Sequence, residues 1–305
     1  MTTKQAARLA NRGIPVRLNL GLAGLLIGIG LGSVLLLPWL VATNPAWGLL
    51  LALFVVTTPT LWVLIHEAIH HSLHPSRRTN DAFGRVLAIA FGAPFHVLRF
   101  GHIEHHRAYV LPDTRTGASR PRFVAVSFHY ARIMGGLYLA EVATLVAVWL
   151  PRRALRWVAR QAVSRYADRA GEHLERLDRT LLAPAGLARF RLDSLLILVL
   201  FGAGFWLYGA DAWMLLAALL GRAVLVSFMD NIYHHRPVGV PRRTLNLRLP
   251  AWASAGILHA NRHAVHHRDP GLPWIALPHA EDPSRPDFDR AFFEAALEQL
   301  LKPSA

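Results

Sequence analysis

The sequence contains no cysteine, and this absence excludes several classes of protein at once. Disulfide frameworks, thiolate-bound zinc fingers and cysteine-ligated iron–sulfur clusters all need residues that the chain does not have. Acidic residues are also few: 19 Asp and Glu stand against 33 Lys and Arg, so the formal net charge is +14. A metal site in this chain would therefore have no cysteine thiolate ligand. Molecules that bind the protein would meet a strongly basic surface.

A basic chain of this kind could bind nucleic acid, but its hydrophobic content argues against that interpretation. Hydrophobic residues make up 53% of the chain and are concentrated in long runs. High apolar content combined with positive charge is typical of membrane proteins with arginine-rich cytoplasmic surfaces. We therefore expect membrane lipids as partners and no nucleic acid.

Four apolar runs approach or reach the roughly 20 residues that a helix needs to cross a bilayer. They occupy residues 18–41, 46–65, 192–208 and 212–229. Very short connectors join the first to the second and the third to the fourth, which favours antiparallel neighbours. The sequence thus predicts an all-α integral membrane protein with four transmembrane helices in two hairpins.

The distribution of arginine predicts which side each segment faces. Residues 151–191 hold ten arginines against four acids, and the N-terminal segment and residues 66–122 are also arginine-rich. Because positive residues stay on the cytoplasmic side, we expect both termini there. The apolar stretch 123–150 would then be re-entrant or interfacial, or two short half-spans. Residues 155–190 predict an amphipathic helix on the membrane surface, and residues 288–301 a short C-terminal helix.

The predicted organisation follows from these spans. It comprises a cytoplasmic N-terminal segment 1–17, a first hairpin 18–65, a cytoplasmic or interfacial region 66–191, a second hairpin 192–229 and a cytoplasmic region 230–305.

Three clusters collect many of the 17 histidines: HEAIHH at 66–71, HIEHH at 102–106 and HAVHH at 263–267. Histidines at i, i+3 or i+4 share one face of a helix. Clustered imidazoles without thiolate suit iron, copper, nickel or zinc. Adjacent histidines diverge by about 100° on a helix, so two metals side by side, each fed by both triplets, fit better than one tetrahedral zinc. All three clusters would lie at the cytoplasmic face.

A fourth element follows the last apolar run, where Asn231 and His235 are spaced i, i+4. An asparagine there could hold a metal-bound water, and His235 could complete the ligands of one metal. His234 is the alternative to His235.

With its HxxxH, HxxHH and HxxHH boxes in order, and the HHxxPxxPW ending over residues 266–274, the chain resembles the membrane fatty-acid desaturase family. The resemblance covers roughly residues 45–280. It implies a cytoplasmic helical cap that holds two iron ions. The implied imidazole ligands are His66, His70, His102, His105, His106, His235, His263, His266 and His267, with Asn231 acting through water.

Several assignments have alternatives. His71 could replace His70, and His259, four residues before His263, could join the ligands. Arg222, inside an apolar run, could pair with Asp193 or Asp211. Carboxylates that could orient the ligating imidazoles, or could simply be solvated or cap helices, are Glu67, Glu104, Asp113, Asp230 and Asp269.

The resemblance implies an O₂-dependent desaturase that introduces a double bond into a fatty acyl chain and takes electrons from a ferredoxin or a reductase. A diiron hydroxylase or ketolase of a lipid, terpenoid or carotenoid is the alternative. A metal transporter is more distant, because the histidines lie outside the spans. The arginine-rich face could dock an acidic carrier or hold anionic headgroups. We expect the protein in the inner membrane of a bacterium.

Overall fold

The computed structural model describes residues 13–109, 121–163, 170–235, 244–280 and 286–303, and these are mostly helical. The α-helices are α1 (Val16–Leu31), α2 (Leu37–Val41), α3 (Leu51–Val56), α4 (Thr58–Ile69), α5 (Arg77–Phe91), α6 (Phe95–Tyr109), α7 (Arg122–Ala131), α8 (Leu137–Ala147), α9 (Arg152–Val163), α10 (Ala170–Arg179), α11 (Pro184–Tyr208), α12 (Ala212–Ile232), α13 (Ala251–Gly256), α14 (His263–Arg268) and α15 (Phe292–Leu301). Two short parallel strands, β1 (Leu247–Arg248) and β2 (Arg290–Ala291), pair near the C-terminus.

Three helical segments of the described chain are long and apolar enough to cross a membrane: Val16–Val41, Pro45–Ile69 and Pro184–Ile232. The third spans 49 residues, which as one straight helix would extend about 74 Å, more than twice the roughly 30 Å hydrocarbon core. It is instead two helices, α11 and α12, that pack against each other. The chain reverses at Gly209, whose φ of 52° lies in the left-handed region that favours glycine.

Helix α11 begins at Pro184, eight residues before the predicted start of the third apolar run. Proline is favoured in the first turn of a helix because it donates no hydrogen bond there. The prediction of one surface helix over residues 155–190 is therefore wrong at its C-terminal end. The chain turns after α10, where the Leu182 amide donates to the Leu177 carbonyl (3.0 Å), and residues from Pro184 onward belong to α11.

The ambiguous stretch 123–150 forms two helices, α7 and α8, separated by a break at Arg132–Gly136. Gly135 has a φ of 112°, and a Cβ there would lie 3.3 Å from the Cβ of Ala223 on α12. Glycine thus permits both the unusual backbone and the close approach of the break to α12.

A bend of 100° separates α5 from α6. Gly92 ends α5 in the left-handed conformation (φ 93°), and Pro94 follows, which is a common way to stop a helix. The bend packs against α4 in a core that includes Leu64, Phe91 and Phe95. It directs α6, which carries the second histidine cluster, toward the end of α4.

Arg222 is fully buried on α12 and pairs with neither predicted acid among the described residues. Its guanidinium lies 4.1 Å from the centre of the Phe54 ring and donates to the Ala90 carbonyl at 3.4 Å. Asp193 instead accepts a hydrogen bond from Arg85 (Nε to Oδ1, 3.0 Å). The predicted Arg222 ion pair is wrong, and aromatic faces stabilise this cation instead.

Candidate metal centre

Four local elements present histidines to one region. His66 lies in the last turn of α4, and His70 follows directly after that helix. The second cluster occupies the last turns of α6, and the third forms most of the short helix α14. The fourth element is the turn after α12, which carries His234. Because the clusters lie at or next to helix ends, their imidazoles can point into one shared region.

Five of these histidines form a first set, here called group A, whose candidate ligand atoms all lie within 4.8 Å of one another. Its members are His66, His70, His102, His106 and His266. The Nε2 atoms approach in a continuous series of pairs, at 3.0 Å for His66–His266, 3.0 Å for His266–His106, 2.9 Å for His106–His102 and 2.9 Å for His102–His70.

A second set, group B, contains His105, His234, His263 and His267. The Nε2 atom of His263 lies 3.0 Å from that of His234 and 3.1 Å from that of His267. The two groups adjoin, because the ring of His106 in group A stacks on that of His267 in group B with centroids 4.2 Å apart. Each of the two triplets therefore contributes to both groups.

These distances fit metal coordination. Imidazole nitrogen binds a first-row metal ion at about 2.1 Å, so neighbouring ligands at right angles stand about 3.0 Å apart, whereas tetrahedral ligands stand about 3.4 Å apart. The observed separations of 2.9 to 3.1 Å match the right-angle case. Burial also lowers the pKa of His263 and of His266 well below the usual value. Both imidazoles are therefore neutral at pH 7, as a metal ligand must be.

An apolar cavity adjoins both groups. With its open mouth it measures about 710 Å³, and His66, His102, His263 and His266 form part of its wall. Apolar side chains line most of the rest, among them Trp62, Val226, Leu258, Trp274 and Leu277. Any apolar chain held there would lie beside the histidine nitrogens.

A family model described as fatty acid desaturase matches residues 38–294, which include every histidine of groups A and B. The chain belongs to this family. The family resemblance of the sequence is thereby confirmed. No curated protein and no solved structure matches the chain. The family is an oxidoreductase family, and in the described part of the chain the two histidine groups could hold metal.

At both ambiguous histidine pairs, one neighbour joins a group and the other does not. His70 lies in group A, while His71, with a left-handed φ of 62°, points its Nδ1 toward Asp81 at 3.7 Å. His234 lies in group B. His235 lies instead near His129, with ring centroids 5.5 Å apart.

The other predicted site residues are dispersed. Asn231 donates from Nδ2 to the Gln299 Oε1 atom at 2.8 Å. Asp230 lines the cavity, whereas Asp269 is largely exposed and accepts from Arg268 Nε at 2.6 Å. Asp113 lies outside the described residues.

His259 joins neither group, so the expectation that it shares a helical face with His263 is wrong. Helix α13 ends at Gly256, and His259 has a φ of 56°. Its Nδ1 lies 2.8 Å from the Ser254 hydroxyl. A four-residue spacing places two side chains on one face only when the helix continues between them.

Two buried carboxylates brace the histidine clusters. Glu67, between His66 and His70, accepts from the Trp274 backbone amide at 3.2 Å and so ties the first cluster to the segment after the third. Glu104, within the second cluster, accepts two bonds from Arg176 on α10, at 2.8 Å and 2.7 Å. Through these bonds the two carboxylates hold together the segments that carry the clusters.

Three further residues around the centre were not singled out from the sequence as part of it. The Tyr233 ring stacks on His263 with centroids 4.8 Å apart, and Trp274 also donates from its indole to Asn19 Oδ1 at 2.9 Å. Gln299 is fully buried against Asn231. The last of these had a readable signal, because Gln299 lies on the same face of α15 as Ala295 and Phe292, where apolar residues are expected.

Proposed function

We propose that this protein is a membrane-bound, O₂-dependent diiron lipid desaturase that introduces a double bond into an unactivated fatty acyl chain. The observation that carries the proposal is the pair of adjoining histidine groups in the wall of an apolar cavity. Metal-binding nitrogens and space for an alkyl chain thus meet at one place, and the family match supports the same reaction class.

In this proposal, one iron is held by group A and the other by group B. The ligand set follows the family resemblance except at one position, where His234 replaces His235. Two iron ions bound there would supply the activation of O₂ that breaking an unactivated C–H bond requires. Asn231 would then act through its neighbours rather than through a direct contact with metal.

The chain's own residues bind and orient the substrate. The apolar wall of Trp62, Val226 and Leu258 would desolvate an alkyl chain and keep bulk water away from the histidine groups. Because selectivity depends on which carbon lies nearest the metals, the depth and bend of this cavity would decide the position of the double bond.

A diiron hydroxylase or ketolase remains the second candidate. It is favoured by two polar residues in the same cavity wall, Asp230 and Tyr233. Such groups suit a substrate that carries oxygen close to the reacting carbon, for example an oxidised lipid or carotenoid ring.

The proposed topology has four transmembrane helices in two hairpins, with a cytoplasmic helical cap and both termini in the cytoplasm of a bacterium. The reversal at Gly209 and the packing of α11 on α12 support a second hairpin. The histidine groups would then lie at the cytoplasmic ends of the spans, where soluble electron carriers can reach them.

Desaturation needs an electron donor, because O₂ reduction to two waters takes four electrons and the substrate gives only two. We propose a ferredoxin-like or reductase partner with an acidic surface. Helix α9 offers a matching face, since Arg152, Arg153, Arg156 and Arg160 fall within about 100° of its circumference and all four are exposed. Complementary charge would speed encounter with such a carrier.

The experiment that tests the function compares lipids from cells that express the wild type or His105→Ala. Mass spectrometry of the total lipid extract should show an unsaturated acyl product with the wild type and none with the variant. An oxygenated product would favour the hydroxylase or ketolase. Identical lipid profiles, with both proteins present in the membrane, would contradict the proposal.

A further inference from the structure

The C-terminal helix α15 contributes a fully buried glutamine to the surroundings of group B. The family model ends at residue 294, so Gln299 lies beyond the matched segment. Its side chain makes two hydrogen bonds to α12: Oε1 accepts from Asn231 Nδ2 at 2.8 Å, and Nε2 donates to the Phe228 carbonyl at 3.1 Å. Gln299 thus ties α15 to the last turns of α12.

The directions of these two bonds are fixed by chemistry. A backbone carbonyl can only accept, so the amide nitrogen of Gln299 must face Phe228 and its oxygen must face Asn231. The Asn231 side chain is therefore a donor toward Gln299, and its side-chain oxygen, Oδ1, points away from Gln299. One glutamine amide sets the orientation of one asparagine amide.

Asn231 also lies in the last turn of α12, directly before the turn that carries His234. Helix α12 ends at Ile232, and the backbone amide of His234 donates to the Asn231 carbonyl at 3.0 Å. This turn brings His234 Nε2 to within 3.0 Å of His263 Nε2. Gln299 is therefore linked to group B through the last turns of α12, which it holds at Phe228 and Asn231 and from which the turn with His234 starts.

Helix α15 is itself held on a second side. The His129 Nε2 atom lies 2.9 Å from the Gln299 carbonyl oxygen, and the Tyr130 hydroxyl donates to the Leu300 carbonyl at 2.9 Å. These two contacts from α7 hold α15 in place, and with it Gln299.

We propose that Gln299 is a positioning residue for the metal of group B, through Asn231 and His234. The inference rests on the two-metal centre of the proposed function. It assigns to the C-terminal helix a part in metal binding, although that helix provides no ligand. Mutation of residues that hold metal ligands in place typically weakens metal affinity by about 10- to 100-fold.

The test is a titration of the purified, metal-free protein with Co²⁺, followed by visible absorption and by metal content per chain. Gln299→Leu preserves size but removes both hydrogen bonds. We expect it to bind the first equivalent of Co²⁺ as the wild type does and the second at least about tenfold more weakly. Glu294→Gln, an exposed position on the same helix, is the matched control and should bind two equivalents normally.

Gln299→Glu keeps the proposal testable if the leucine variant does not fold. A protonated carboxyl group can reproduce both hydrogen bonds, so this variant should retain the second equivalent more tightly than the leucine variant or, if that one is lost, within about tenfold of the wild type. Equal weakening of both equivalents in a folded variant would overturn the proposal, as would two unchanged equivalents in Gln299→Leu. Because Co²⁺ binding needs no substrate or electron donor, failure of the desaturase reaction would leave this result readable.

Discussion

Group A takes four of its five histidines from α4, α6 and α14 and the fifth, His70, from the residue directly after α4, whereas group B takes His234 from the turn after α12. The first histidine cluster contributes to group A alone, and three hydrogen bonds from other segments hold it. The Ala68 carbonyl accepts from Asn80 Nδ2 at 2.8 Å and from Arg99 Nη2 at 3.0 Å, and Glu67 accepts from the Trp274 amide. In the turn with His234, the Asn231 carbonyl accepts from the His234 amide at 3.0 Å and the Tyr233 carbonyl accepts from the Leu245 amide at 2.9 Å. The two neighbouring groups thus differ in the contacts that hold their ligands.

This difference leads us to expect a tighter metal in group A and a more easily lost metal in group B. The variants described below test this difference between the two groups.

The largest effect should come from removing a central ligand of group A. His266→Ala deletes a nitrogen that lies 3.0 Å from both His66 and His106. We expect at least one of the two irons to be lost and the product to fall below detection. Iron content by plasma mass spectrometry and lipid analysis check this. His279→Ala, exposed and outside both groups, should retain full iron. Normal iron content in His266→Ala would contradict the assignment.

A comparison of two adjacent histidines sharpens the definition of group B. His234→Ala should reduce iron from about two to about one per chain, because it removes one of four ligands. His235→Ala should retain about two, since that side chain lies beside His129. Iron content and Mössbauer spectra of the two variants measure the difference. The reverse result would show that His235 is the ligand.

A smaller effect is expected from the brace on the second cluster, which serves both groups. Arg176→Ala removes two hydrogen bonds from the buried Glu104 carboxylate and should lower the free energy of unfolding by about 1–3 kcal/mol. Arg179→Ala breaks only an exposed pair with Glu175 and should cost less than about 0.5 kcal/mol. Denaturant unfolding in detergent gives both values. Equal values would mean that the Glu104 contact adds no stability.

Much of the centre could be predicted because the boxes lie at helix ends, where spacing determines direction. Adjacent residues 105 and 106, and likewise 266 and 267, divide between the two groups as a helix requires. The same rule did not hold for His259, which lies beyond the end of α13. The prediction of His235 as a ligand rested on its four-residue spacing from Asn231, whereas α12 ends at Ile232 and His234 lies in group B. His259 was placed with His263 across a segment that is not helical.

Long-range contacts could not be predicted from local pattern at all. Trp274 meets Glu67 across 207 residues of chain and Gln299 meets Asn231 across 68. Nothing in either local sequence specifies its partner, because each pairing depends on how the helices pack. The span ends shifted for a related reason, since Pro184 rather than hydropathy marks where α11 begins.

The most direct test of the two-metal account is a crystal structure of the iron-loaded protein with anomalous data collected at the iron edge. The account predicts two iron peaks, one within His66, His70, His102, His106 and His266 and one within His105, His234, His263 and His267. A single peak, no peak, or a second iron bound by His235 in place of His234 would contradict it.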